Sequence, residues 1–224
     1  MSVIEAEDVA CPACGGTISA PAIYSVNGGR SPDLRDAILT DQMGRLTCPH
    51  CAAAFRVEPR LCYVDVERGE WMLVEPVGEL PQWTELEDAA RALFDRSYGP
   101  QAAPAAQAIG RELRPRITFG WAALREKLVC ARVGVDDIDL EMVKVLLLRS
   151  GDDSPIDDDV ELRLLDATAA TLSLAWLQSQ DGDVLETLEA PRALLGQVRQ
   201  PDLAPLRAAL SLGTLVDLHR ILVA

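Results

Sequence analysis

Apolar and polar positions change period several times along this chain, and each change marks an element. Residues 54–57 and 61–66 read as short strands, Glu67-Arg68-Gly69-Glu70 as a turn, and Trp71-Met72-Leu73-Val74 as the returning strand of a hairpin. Upstream, residues 18–26 form another strand candidate. Ser31-Pro32-Asp33 then opens a short helix to about Thr40, with Ser as N-cap, Pro at the first helical position and acid in the first turn. Thr84-Glu85-Leu86-Glu87 has the form of a capping box, and Leu86, Ala89, Ala90, Leu93 and Phe94 recur at helical spacing behind it. Residues 99–106 lack that spacing and carry two prolines, which marks a linker and a domain boundary.

Beyond it, Trp121, Leu124 and Leu128 mark a helix ending before Gly134. Residues 138–148 mark a second, ending before Gly151, and the tandem implies an antiparallel pair. After the acidic connector 151–159 the period falls to two. Val160, Leu162 and Leu164 alternate with Glu161 and Arg163; Leu172, Leu174 and Trp176 alternate with Thr171, Ser173 and Ala175. These are antiparallel strands with one buried face, and Asp181-Gly182 turns the chain into a third near 184–188. Helix returns at Pro191 and around 203–210, while 215–222 fits helix or strand. The expected class is α+β: a β-rich domain over 1–99 closed by a helix, a linker at 100–115, and an α+β domain over 116–224 with an antiparallel sheet and flanking helices.

Charge narrows the function classes. Lys plus Arg number 21 and Asp plus Glu 35, so the formal net charge of -14 repels phosphate backbones and anionic lipid. Nucleic acid is disfavoured as the main partner. No apolar run reaches the roughly 18 residues of a spanning helix, and the N-terminal segment has neither the basic start nor the apolar centre of a signal peptide. The expected setting is the cytoplasm, without membrane.

Candidate chemistry is concentrated in the first quarter. Cys11-x2-Cys14, a gap of 33 residues and Cys48-x2-Cys51 supply two knuckles, the ligand set of a closed tetrahedral Zn2+ site with sulfurs about 2.3 Å from the metal. One structural zinc is the expected cofactor. Pro12 and Pro49 stiffen the knuckles, and Gly15 and Gly16 supply the positive φ such turns use; Ala52 stands at the matching place in the second, which implies strain of about 1 kcal/mol and a looser or differently shaped knuckle. His50, inside the second turn, reads as exposed or as a donor beside the ligands.

Cys-Pro-Ala-Cys-Gly at 11–15 and Cys-Pro-His-Cys at 48–51, with Ile23-Tyr24-Ser25-Val26-Asn27 and Pro32-Asp33-Leu34 between them and Cys62-Tyr63-Val64-Asp65 after, resemble the bacterial CpXC family of paired Cys-Pro-x-Cys motifs. The similarity covers about residues 9–95. It implies a cysteine-rich, zinc-binding, ribbon-like module without an established biochemical activity.

Rival readings stand beside it. Cys-Pro-His-Cys also resembles the active site of thioredoxin-class oxidoreductases, but Pro59 follows too soon for the long helix that site needs. A disulfide framework conflicts with the absence of a signal peptide. Catalytic zinc needs an open position, which four cysteines do not leave. Cys62 reads as a small buried hydrophobe, and Cys130 falls on the side of its helix away from Trp121, Leu124 and Leu128, packed elsewhere or partly exposed. His219 lies near Asp217 without a nucleophile to complete a triad and reads as a surface or capping residue. Asp152, Asp153 and Asp157-Asp158-Asp159 lack the glycine and terminal glutamate of a calcium loop. Asp136, Asp137, Asp139 and Glu141 are acids favoured at a helix N-terminus, and Gly28-Gly29-Arg30 is no phosphate loop.

Residues 9–60 hold five arginines and four acids, and four thiolates plus Zn2+ add -2, so the ribbon is acidic. The leading expectation is a non-catalytic interaction or scaffold module whose partner is another protein or a second copy. The alternatives are a thiol redox protein, a nucleic-acid-binding ribbon, and an enzyme with an unrecognised site in the second domain.

Overall fold

A computed structural model describes residues 2–150 and 159–222. The strand expected at 18–26 is β2 (Thr17–Asn27), and it pairs in a long antiparallel ribbon with β1 (Val3–Ala10), a strand the sequence did not announce, with Ala10 opposite Thr17. Helix α1 (Pro32–Leu39) follows with Pro32 in its first turn, as its sequence predicts; the Ser31 hydroxyl pairs with that of Ser2 rather than capping the helix. Two short strands, β3 (Arg45–Thr47) and β4 (Ala54–Arg56), make a separate antiparallel pair. The expected hairpin is β5 (Leu61–Asp65) and β6 (Glu70–Glu75), whose turn uses Gly69 at φ +68°.

α2 (Trp83–Tyr98) begins one residue before Thr84, so the capping box does not form. Glu87 is turned inward and 4% exposed, accepting hydrogen bonds from the Leu215 N–H at 2.7 Å and Arg220 at 2.8 Å. The expected linker at 100–115 is likewise structured. It contains α3 (Pro104–Glu112), with Pro104 in the first turn where a missing N–H costs nothing, and the start of β7 (Arg114–Phe119). Pro115 is tolerated because β7 is a sheet edge.

β7, whose first two residues fall in the expected linker and whose last four fall in the expected second domain, pairs parallel with β6 and completes a mixed sheet in the order β1-β2-β5-β6-β7. α4 (Gly120–Val133) and α5 (Asp137–Ser150) follow, separated by Gly134 in the left-handed region at φ +66°. A second sheet, β10-β9-β8, is built from β8 (Val160–Ala167), β9 (Thr171–Gln178) and β10 (Val184–Pro191), all antiparallel. Pro191 thus ends a strand; α6 (Leu194–Gln197), α7 (Ala204–Ser211) and α8 (His219–Leu222) follow, and Leu215 touches β7 through a single bridge to Ile117.

One buried cluster joins Val26, Tyr63 and Met72 of the first sheet to Leu128 and Val143 of the two central helices and to Leu164 and Leu174 of the second sheet. On the other face of the first sheet, Trp71 meets Phe94 of α2 edge-on at 5.2 Å. A smaller cluster there holds Ala90, Ile117, Phe119 and Leu215.

The alternation in β8 misleads in one respect. Arg163, expected to face water opposite Leu162 and Leu164, is 6% exposed, because α4, α5 and the 214–219 segment cover that face with charged groups. Lys144 of α5 lies 2.8 Å from Glu126 of α4 and 3.0 Å from Glu141; Arg163 reaches Glu126 at 3.1 Å and Asp217 at 2.7 Å. The acidic connector falls outside the described residues apart from Asp159. Among those described, no helix is long and apolar enough to cross a membrane.

Candidate metal centre

Each cysteine pair occupies the turn of a hairpin. Cys11 and Cys14 join β1 to β2, and Cys48 and Cys51 join β3 to β4. In the first knuckle the Gly15 N–H donates to the Cys11 carbonyl and the Cys11 N–H to that of Gly16, both at 2.9 Å. The second repeats this: Ala52 N–H to the Cys48 carbonyl and Cys48 N–H to that of Ala53, again at 2.9 Å. Gly15 has φ +69° and Ala52 φ +60°. The expected strain at Ala52 is therefore present, while the expected difference in shape is not: the hydrogen bonds impose one geometry on both turns, and alanine accepts a left-handed backbone to keep it.

All four Sγ atoms lie within 4.8 Å of one another. Across the knuckles Cys11 and Cys51 are 3.8 Å apart, Cys14 and Cys48 3.7 Å. A metal about 2.3 Å from each of four tetrahedral sulfurs separates them by about 3.8 Å, so the donors fit such an ion without rearrangement. All six cysteines are free, and these spacings are far longer than the roughly 2.05 Å of a disulfide. Cys11 and Cys48 are buried with Ile18 against Leu46 and Phe55, while Cys14 and Cys51 face solvent.

The sulfurs differ in proton affinity. Burial pushes the Cys48 thiol up, but the backbone N–H groups of His50 and Cys51 and the neighbouring thiols outweigh it and draw it down to about 7. At Cys51 the Ala53 N–H favours the thiolate; the sulfur of Cys14, burial, and the sulfurs of Cys48 and Cys11 oppose it and push it up to about 12. Four thiols this close cannot all ionise without a cation among them.

His50 is exposed and outside the sulfur cluster. Its backbone N–H donates to Cys48 Sγ at 3.4 Å, and its ring Nε2 lies 3.3 Å from the Thr17 carbonyl, joining one knuckle to the strand of the other. The ribbon is anchored to the body at Trp121 of α4, whose indole N–H donates to the Val57 carbonyl at 2.7 Å. Gly44 is required there: a Cβ would stand 2.6 Å from Trp121 Nε1, and φ is +74°.

The other candidates lie elsewhere. Cys62 is half-buried in β5, its thiol pushed up to about 11 by burial. Cys130 is 3% exposed and part of the main core. His219 donates its backbone N–H to Asp217, whose carboxylate is engaged by Arg163, and no nucleophile joins them among the described residues. Asp136 accepts from the N–H groups of Ile138 and Asp139 at the start of α5, as expected. Asp137, Asp139 and Glu141 are instead buried in ion pairs with Arg116, Arg199 and Lys144. Sequence reasoning missed this interior charge set, whose members are scattered from 116 to 217 without a shared motif.

The centre defines an α+β protein with four cysteines arranged to take a metal ion. A family model described as CpXC protein matches residues 9–144, and the chain belongs to that family. The match extends beyond residue 95, through β7 and α4 into α5, in agreement with the continuous sheet. No curated protein and no solved structure matches the chain.

Proposed function

We propose that Cys11, Cys14, Cys48 and Cys51 hold one structural Zn2+ and that the chain is a non-catalytic protein-interaction module. The observation that carries this reading is the set of four sulfurs all within 4.8 Å of one another, with both measured cross-knuckle pairs, 3.7 and 3.8 Å, at the edge length of a tetrahedral site. An all-thiolate tetrahedral set selects zinc among the common redox-inert divalent ions. Such a set is filled by the protein alone, so no position is left for a substrate. The bound ion would cross-link the β1–β2 and β3–β4 turns, leaving an excess of two negative charges that the His50 and Ala53 N–H groups partly offset.

The thioredoxin-type alternative lacks support, because Cys51 leads into β4 rather than into a helix that could acidify Cys48. Interaction is supported by β1, whose residues are almost all exposed and whose outer edge has no partner strand among the described residues, with Val3 and Ile4 open to solvent. Cysteines that are free rather than joined in disulfides support a reducing compartment such as the cytoplasm.

The test is elemental analysis of protein purified without added metal, with thiol titration before and after chelation. One zinc per chain and four thiols that react only after chelation are expected. Absence of metal together with a reversible disulfide at Cys48 and Cys51 would overturn the reading.

A further inference from the structure

Behind the β5–β6 turn a cavity of about 350 Å3 opens between the starts of β6 and β7, the second half of α4 and the start of α5. That volume is within the range of small-molecule sites. Its wall carries four cations, Arg68, Arg114, Arg116 and Lys127, in a chain whose net charge is -14. Each has a carboxylate within 4 Å, Arg68 with Asp65, Arg114 with Asp136, Arg116 with Asp137 and Lys127 with Glu141, but the contacts are uneven. Asp137 is shared by three, with Arg116 at 2.7 Å, Lys127 at 3.6 Å and Arg114 at 3.8 Å. Glu112 is exposed. Glu70 is 8% exposed with neither carboxyl oxygen in a hydrogen bond, and burial pushes it up to about 7, so it is a weak counter-ion at neutral pH.

Two of the cations remain open to an incoming group. The Arg114 side chain is 61% exposed and only loosely held, 3.5 Å from Asp136; that of Arg68 is 47% exposed with one partner, Asp65, at 2.7 Å. Much of the remaining wall is apolar, with Met72, Cys130 and Val135 buried. A cationic rim over an apolar wall matches a molecule with one anionic group on a carbon frame.

We propose that this cavity binds a small organic anion, its carboxylate or phosphate group on Arg68 and Arg114 and its carbon frame against Met72, Cys130 and Val135. The site is separate from the four cysteines and does not depend on the metal reading.

Ligand-observed NMR on the full chain tests it with benzoate and phenyl phosphate against benzamide, benzylamine and inorganic phosphate. Saturable binding of at least one organic anion is expected, with the amide and amine at least about tenfold weaker. The Arg68→Gln/Arg114→Gln double variant should lose about tenfold in affinity; loss of Arg68 leaves the buried Asp65 unpaired and should lower its melting temperature, whereas Arg114→Gln alone, at a side chain 61% exposed, should weaken binding with an unchanged one, and Arg91→Gln on α2 should bind normally. No saturation by either organic anion below about 10 mM, equal binding of benzamide, or wild-type affinity in the double variant would overturn the proposal. Inorganic phosphate binding as well as phenyl phosphate would overturn the role of the apolar wall.

Discussion

Replacing Lys144 with methionine tests whether the interior ion cluster holds the two halves of the chain together. The Lys144 side chain is 1% exposed, with Nζ 2.8 Å from Glu126 and 3.0 Å from Glu141. At an effective dielectric of about 20, charges about 3 Å apart attract by about 5 kcal/mol, and burying the ammonium cancels much of the gain from two such contacts. The variant saves that burial cost but leaves two buried carboxylates with less compensation, so a net loss of about 3–5 kcal/mol is expected. For a chain of this size that corresponds to a melting temperature lower by roughly 6–20 °C. The pH dependence is the sharper readout. Burial already pushes Glu141 up to about 7 despite Lys144 beside it. Without the lysine the folded state holds its proton still more strongly, while the unfolded state ionises near the ordinary value of about 4.3. A group with a raised folded pKa contributes stability below its unfolded pKa that is lost as pH rises toward the folded one. Urea unfolding should therefore show a deficit at pH 8 larger than at pH 5 by about 1 kcal/mol or more. Adding Glu141→Gln to the variant should recover part of it, because the amide carbonyl can still accept from the Leu218 N–H, now 3.0 Å from Glu141. A loss below about 1 kcal/mol, or one that does not grow with pH, would refute the reasoning.

Three further outcomes follow from local geometry. Ala52→Gly removes a left-handed penalty of about 1–2 kcal/mol and adds about 0.5–1 kcal/mol of unfolded-state entropy; a net gain near 0.5 kcal/mol should raise the denaturant midpoint and slow metal loss to a chelator. Glu87→Gln weakens acceptance from Leu215 and Arg220 and should cost about 1–3 kcal/mol at neutral pH. The Glu87 carboxyl, which burial alone would raise, is held below its usual range by Arg220 and the Leu215 N–H, so that cost should shrink as pH falls through the carboxylate range and the wild type protonates too. Glu70→Gln should flatten the fall in stability between about pH 4.5 and 7, because burial holds the native carboxyl up to about 7 while the unfolded one ionises lower. Unfolding curves across that range, with an unchanged slope in the variant as the contrary result, check it.

Local signals in the sequence accounted for much of the architecture. Strand-forming runs on either side of a turn marked β5 and β6, two-residue alternation marked β8 and β9, Gly134 ended α4, and Asp181-Gly182 closed the β9–β10 hairpin. The four sulfur positions were legible from spacing alone, since a Cys-x2-Cys turn is a local structure and two of them have few other uses. The position of Ala52 in the second knuckle likewise revealed its strain.

Tertiary structure decided what joins to what. Prolines 100 and 104 read as a break, yet Pro104 starts a helix whose chain returns as β7 beside β6; parallel pairing of distant segments leaves no local mark. Arg163 and Lys144 look like surface residues in any window of sequence, and only the packing of α4, α5, β8 and the 214–219 segment encloses them with partners. Glu87 resembles half of a capping box and serves instead as an acceptor for a backbone 128 residues away. Residue type and spacing determine turns, periods and ligand sets because those depend on neighbours in the chain. Burial of charge, completion of a sheet and the shape of a cavity depend on neighbours in space, and for those the fold had to be seen.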